Sequence, residues 1–352
     1  MSVIVHVDMD CFFCACEVKQ DRALAGKPVI VGSTGERGVV SAASYEARAF
    51  GVYSATPIGK ARRLCPEGVF LGVDMDLYIE ESRAVMKVFY SLADEVEQMS
   101  VDEAYLDMTE YAKKFDSLED MGNELRRIVF AETGLSCSVG ISESRVVSKI
   151  ASDFKKPGGV TVVRDAREFL APLKITKIPG IGRVSKEVYI ENGINFIGDL
   201  CNLDRFRILE LFGESGVYFQ NVALGLNKVG LIERGPRQSI GSERTFAFDT
   251  ADKVWLLRSL YRLCEYVHSD LEERKIKTVT LKIRYSDFHT ITRAFTLRDY
   301  SRSLDELRVA ISQLFFGSYV VKPVRLVGVK VSKLNYEKFE QKKLEVFNKL
   351  AN

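Results

Sequence analysis

Residues 3–13 read Val3-Ile4-Val5-His6-Val7-Asp8-Met9-Asp10-Cys11-Phe12-Phe13. β-Branched side chains dominate the start of this stretch, which predicts a buried strand over residues 3–7 ending at Asp8-Met9-Asp10. A helix over 12–19 follows. A second acidic pair, Asp102-Glu103, falls at the tight connection of two strands predicted within residues 96–108. Asp8, Asp102 and Glu103 are thus three carboxylates at strand ends. Hard oxygen donors of this kind suit Mg²⁺, which proteins usually hold with one or two carboxylates plus substrate phosphates. Two such ions about 3.5–4 Å apart activate a hydroxyl and stabilise the leaving oxygens of an in-line displacement. Any one of these acids taken alone reads as a solvated strand end, and sequence spacing does not show that the two clusters converge.

The phosphate side of such a site needs cations. Tyr45 and Arg48, spaced i and i+3, share one face of a helix predicted over 44–50. Lys156 stands just before Pro157-Gly158-Gly159, where the backbone can pass close to a ligand. Arginine suits bidentate phosphate contacts and lysine acts as a mobile point charge. Without the acids, both would read as solvated surface cations.

Further strands are predicted over 28–31, 39–43, 137–141 and 160–163, and helices over 77–92, 125–130 and 146–154. Strands alternating with helices suggest an α/β or α+β sheet domain. From residue 165 the pattern changes to short helical segments. Within them, Ile178-Pro179-Gly180-Ile181-Gly182 precedes Val184 and Lys186. The glycines permit a tight hairpin whose N–H groups, with the following helix N-terminus, hold a phosphate. This is a helix-hairpin-helix pattern, which grips DNA by its backbone without reading sequence; the alternative is a plain interhelical turn. Residues 211–216 form a degenerate second copy. Residues 229–239 are polar and read as a linker. Beyond them, strands over 240–248, 278–285, 290–297 and 325–334, with helices over 254–274 and 303–316, make an α+β module of about 100 residues.

The chain has 352 residues, which suggests two or three domains. Its net charge of +2 hides a split. From Leu231 onward there are 23 Lys+Arg against 15 Asp+Glu, a net of +8, whereas the rest carries 27 against 33. A basic C-terminal third on an acidic body suggests a module that meets a polyanion; uneven surface charge is the plainer alternative. No apolar stretch approaches the ~20 residues of a membrane span, and the acidic N-terminus does not read as a secretory signal. The seven cysteines are scattered and fit a reducing compartment rather than a disulfide framework. Cys11, Cys14 and Cys16 lack a second pair at zinc spacing and read as small buried hydrophobes. At the C-terminus, Gln341, Leu344 and Phe347 fall at i, i+3 and i+6, a short amphipathic segment that either docks in a partner's apolar groove or packs on its own domain.

Three motifs together resemble the Y-family translesion DNA polymerases: residues 7–13, Ser44-Tyr45-Glu46-Ala47-Arg48, and Ser100-Val101-Asp102-Glu103-Ala104-Tyr105-Leu106-Asp107. The match is closest to the polymerase IV/kappa branch, including its archaeal members. Val139-Gly140-Ile141-Ser142, Lys149-Ile150-Ala151-Ser152-Asp153 and the Pro-Gly-Ile-Gly hairpin extend it over essentially the whole chain.

The resemblance implies an α+β right hand. The palm would be 1–10 and 69–163, the small fingers 11–68, the helical thumb 164–230, the linker 231–239, the little finger 240–336 and the tail 337–352. It implies a DNA-directed DNA polymerase that copies past lesions with low fidelity, without a proofreading exonuclease. Asp8, Asp102, Glu103 and the Met9 carbonyl would hold two Mg²⁺. Asp10 belongs to the motif without being a principal ligand. Phe12, Phe13, Tyr45, Arg48 and Lys156 would contact the nucleotide, with Phe13 as the ring that leaves no room for a ribose 2′-OH. Expected DNA contacts are Gly180, Gly182, Lys186, Arg237, Arg244, Arg325 and Lys330. The tail residues Gln341, Leu344 and Phe347 resemble a sliding-clamp-binding peptide, although Asn348 stands where an aromatic residue is common. Expected partners are primer-template DNA, a dNTP and a sliding clamp, for a cytoplasmic monomer. A nuclease or nucleotide cyclase with two metals is the rival enzyme class, and a non-catalytic DNA-binding scaffold of the same fold is a further one.

Overall fold

The β-branched run at the N-terminus forms β1 (Ile4–Met9), buried along nearly all its length. The structure is a computed structural model and describes residues 2–33, 35, 37–232 and 235–335. The chain divides into two units, Met1–Thr34 with Gly38–Glu233 and Gly35–Arg37 with Arg234–Asn352. In the first, β2 (Val29–Gly32), β3 (Val40–Ala43), β4 (Val69–Leu71), β5 (Glu95–Gln98), β6 (Glu103–Asp107), β7 (Cys137–Ser142) and β8 (Val160–Val162) follow β1. Five strands form one sheet in the order β5-β6-β1-β7-β8, and three form another in the order β3-β2-β4.

β1 is central and antiparallel to both neighbours, and its alternate residues serve two faces. Val5, Val7 and Met9 enter the main core with Phe12, Tyr78, Phe89 and Leu125. Helices Phe12–Gln20, Met75–Leu92 and Leu118–Thr133 carry the rest of that core. The opposite face, with His6 and Asp8, packs under the helix Arg145–Ser152. Gly140, opposite His6 in β7, makes that packing possible, because a Cβ there would lie 2.0 Å from the Ser148 carbonyl oxygen. A bidentate pair from Arg145 to Glu97, at 2.6 and 2.9 Å, fastens the same helix to the sheet.

Two sequence expectations shift. The helix expected over 125–130 runs Leu118–Thr133, because Ser117 caps its first turn by accepting from Asp120 N and Gly134, at φ 70°, ends it. Val69–Leu71, expected at the start of the second palm segment, instead pairs parallel with β2 and completes the small sheet.

Residues 165–225 form short helical segments as expected, among them the helices Ala166–Leu170, Arg183–Glu191 and Arg205–Ala223. Their core of Ile175, Ile178, Tyr189, Leu200 and Val222 continues into Val147 and Ile150 of the helix Arg145–Ser152. Gly213 adopts φ 64° inside Arg205–Ala223 and breaks it into two helical pieces.

The second unit contains β9 (Ser239–Thr250), β10 (Ile276–Tyr285), β11 (Thr290–Ser301) and β12 (Val324–Ser332). They form an antiparallel sheet in the order β11-β10-β12-β9. Helices Lys253–Ser269 and Leu304–Ser318 pack on the face that carries Val279, Leu281, Ile283, Val327, Val329 and Val331. Thr280, Lys282 and Lys330 lie on the other face. Among the described residues, no helix is long and apolar enough to cross a membrane.

Candidate active site

Sheet register answers the question that sequence spacing left open. Asp8 in β1 stands directly opposite Glu103 in β6, so their side chains share one face at close range. Asp102 occupies the turn before β6, and Met9 N donates to its carbonyl oxygen at 3.0 Å. Glu103, expected in the bend with Asp102, opens the strand instead.

The three acids share an edge, yet each is turned to a partner of its own. Lys156 Nζ lies 2.6 Å from Asp8 Oδ1. Lys149 Nζ pairs with Glu103 Oε2. Ser100 Oγ donates to Asp102 Oδ1 at 2.5 Å. Among the described residues, no group of three or more His, Cys, Asp or Glu is gathered closely enough to hold a metal ion. Burial pushes the Asp8 carboxyl up against the opposing pull of Lys156, while Glu103 and Asp102 add to the rise. The His6 ring, and then Lys149, hold Glu103 below the usual carboxylate range despite burial.

His6 is fully buried beneath these acids, and burial lowers its imidazole to about 4. Its Nδ1 lies 2.7 Å from Ser152 Oγ. Its Nε2 has no hydrogen-bond partner and sits 3.5 Å from Glu103 Oε2. The donor set fits Mg²⁺ in kind. It is all hard oxygen, two of its carboxylates face each other across the ladder, and ammonium groups already lie where a divalent charge would be drawn.

Of the expected nucleotide contacts, Lys156 meets Asp8 and Tyr45 meets the neighbouring Asp10. Tyr45 OH donates to Asp10 Oδ1 at 3.3 Å, and the Arg48 guanidinium lies 4.6 Å from the centre of the Tyr45 ring. Asp10 is the organiser that sequence reasoning missed. It also accepts from Ser138 Oγ at 2.7 Å and from Gly158 N at 2.9 Å, tying the loop that carries Lys156 to the end of β1. Its one sequence signal was its place in the acidic motif. Phe12 is buried in the core, so only its backbone is offered to a ligand. Phe13 is half-buried and stacks on Tyr78, ring centres 4.1 Å apart and 11° from parallel.

The other singled-out residues take different places. Gly180 has φ 100°, and Gly182 is the N-cap of the helix that presents Lys186. In the second unit, Lys330 lies on the open sheet face opposite Thr280 and Gly241. Arg244 is exposed but opposite Val327, in register with the helix-covered face. The Arg325 guanidinium stacks 4.8 Å from the Phe288 ring centre, and Arg237 is exposed ahead of β9. Gln341, Leu344 and Phe347 lie outside the described residues. Cys14 and Cys16 are buried, as expected of small hydrophobes, and Cys11 is half-buried.

An acid-bearing sheet, a helix-hairpin-helix region and a C-terminal α+β unit, in this order along the chain, are the parts of the Y-family polymerase fold. Residues 7–153 match the impB/mucB/samB family, residues 163–194 the IMS family HHH motif, and residues 237–344 the impB/mucB/samB family C-terminal domain. A relative in Methanoculleus marisnigri, named DNA polymerase IV, is 42% identical over 340 residues, covering 94% of each chain. A DNA polymerase IV of Listeria monocytogenes is 37% identical over 352 residues, covering 97% of this chain and 98% of its own. Among solved structures, a Y-family DNA polymerase chimera of Dbh and Dpo4 superposes with a TM-score of 0.84 at 26% identity, covering 94% of this chain and 99% of its own. The chain belongs to this family of Y-family DNA polymerases.

Proposed function

We propose that this polymerase extends a primer by nucleotidyl transfer assisted by two Mg²⁺, and that it does so past template lesions and with low fidelity. The observation that carries the reading is the cross-strand placement of Asp8 and Glu103, with Asp102 in the adjoining turn. Asp8, Asp102, Glu103 and the Met9 carbonyl would hold the ions, which supply charge to the triphosphate and acidity to the primer 3′-OH. The chain's own residues do the positioning. Arg48 stacks on Tyr45, which reaches Asp10, and the pair is suited to hold phosphate oxygens. Lys156 lies between Asp8 and Asp153, at 2.6 and 3.4 Å, and is free to exchange a carboxylate for a phosphate. Phe12 would contribute through its main chain. Catalysis on this account is alignment and charge neutralisation.

Within this reading the palm is 1–10 and 69–163 less β4, the fingers are 11–68 with β4, the thumb is 164–230 and the little finger is 240–336. A primer-template incubated with Mg²⁺ and all four dNTPs should be extended. Strand cleavage without dNTPs would favour the nuclease class instead.

Gly180, Gly182 and Lys186 would take DNA phosphates at the thumb, and Arg237, Arg244, Arg325 and Lys330 at the little finger. A net of +8 from Leu231 onward implies counterion release on binding, so log affinity should fall linearly and steeply with log salt. A salt-independent Kd, measured by fluorescence anisotropy, would contradict a phosphate-led interface. The tail, through Gln341, Leu344 and Phe347, would engage a sliding clamp. Deleting residues 341–352 should leave clamp-free synthesis unchanged and reduce stimulation by the clamp; equal stimulation would assign the tail to packing.

A further inference from the structure

We propose that Lys149 is a positioning residue, an internal counter-ion that holds Glu103 in the metal-free protein and competes with Mg²⁺ for it. The proposal rests on the two-metal reading above and adds a regulation of that same site.

The helix that carries Lys149 has little freedom to withdraw. Arg145 binds Glu97 through two hydrogen bonds and stacks 4.3 Å from the Tyr105 ring centre. Close approach over Gly140 seats the helix backbone on β7. The Lys149 ammonium is therefore delivered to Glu103 by the fold rather than by a wandering side chain. It takes Oε2, the same oxygen that faces the unpartnered Nε2 of buried His6. On that side, a metal gains Glu103 only if the ammonium lets go.

There is room for the exchange. Asp8, Glu103, Lys149, Asp153 and Lys177 line a cavity of about 150 Å³, so a released ammonium has both space and a second carboxylate nearby. The charges on this lining nearly balance without a metal. A divalent ion entering alone would face two lysines in a partly desolvated space, where like charges repel strongly. A triphosphate entering with the ions supplies the missing negative charge. Lys156 holds Asp8 in the same manner. Lys149 thus ties metal loading to nucleotide arrival and disfavours idle loading.

The test uses the full chain without DNA or nucleotide, titrated with Mn²⁺ while free ion is counted by electron paramagnetic resonance. Lys149→Met should bind Mn²⁺ about tenfold more tightly than the unmodified chain, an effect of the size that groups contacting a metal ligand have but of opposite sign, because this one competes with the metal. Lys149→Arg should restore the original affinity. In a Glu103→Gln background, Lys149→Met should change nothing. Unchanged or weaker binding by a folded Lys149→Met chain, its fold checked by circular dichroism, would overturn the proposal. If that variant does not fold, Lys149→Gln is read by the same criterion. A saturable site in the unmodified chain that Asp102→Ala weakens, but that Lys149 substitution leaves alone, would overturn the role of Lys149 only. Absence of any saturable site in the unmodified chain and in Lys149→Met alike would overturn the two-metal reading and this proposal together.

Discussion

Asp102→Ala is expected to abolish primer extension, lowering kcat/KM by at least about 10³-fold, as the loss of a group that stabilises developing charge does. Asp102 has no structural work that would confuse the result. It sits half-buried in a turn, and among the described residues its side chain accepts one hydrogen bond, from the hydroxyl of Ser100 at 2.5 Å. The hydrogen bond that fastens the turn to β1 uses its backbone oxygen, which alanine keeps. The fold and the basic surfaces should therefore survive, and the variant's Kd for primer-template should stay within about threefold, since phosphate contacts rather than this acid govern affinity. Single-turnover extension and anisotropy on the same preparation separate the two quantities. Retained extension would remove Asp102 from the reaction.

Phe13→Ala is expected to raise the rNTP-to-dNTP incorporation ratio by roughly 10²-fold, the scale on which a pocket distinguishes one hydroxyl. On the proposed reading the ring would act as a wall, because it is backed. It lies nearly parallel to Tyr78 at 4.1 Å. Tyr78 is fully buried, with its hydroxyl donating to Glu17 Oε1 at 2.6 Å. Phe13 therefore has nowhere to retreat when a larger sugar enters, and interiors packed in this way yield little. Alanine removes the ring and leaves Tyr78 in place. The ratio should rise through rNTP insertion, with dNTP insertion much less affected. An unchanged ratio would place the sugar elsewhere.

The strands were legible because β1 is buried on both sides, and a buried strand reads as a continuous apolar run. The acids were legible as a type of site, since three carboxylates at strand ends stand out against apolar neighbours. Their partners were not. Lys149, Ser100 and His6 acquire meaning only through the register that sets Asp8 against Glu103 and through the helix laid over Gly140. Asp10 was visible as a motif member, yet its bonds to Ser138 and Gly158 join residues far apart in sequence. Phe12 and Phe13 show a finer limit. Periodicity treats both as core, and the fold alone buries Phe12 while leaving Phe13 half-open above Tyr78. β4 was misplaced because a three-residue strand carries no period, and its parallel pairing with β2 is a tertiary fact.

The most direct test of a polymerase that copies past damage is running-start extension over a template abasic site, compared with the undamaged template in Mg²⁺ and all four dNTPs. The account predicts product opposite and beyond the lesion with the intact chain, and none with Asp102→Ala. Full copying of the undamaged strand with a complete stop one nucleotide before the abasic site would contradict it.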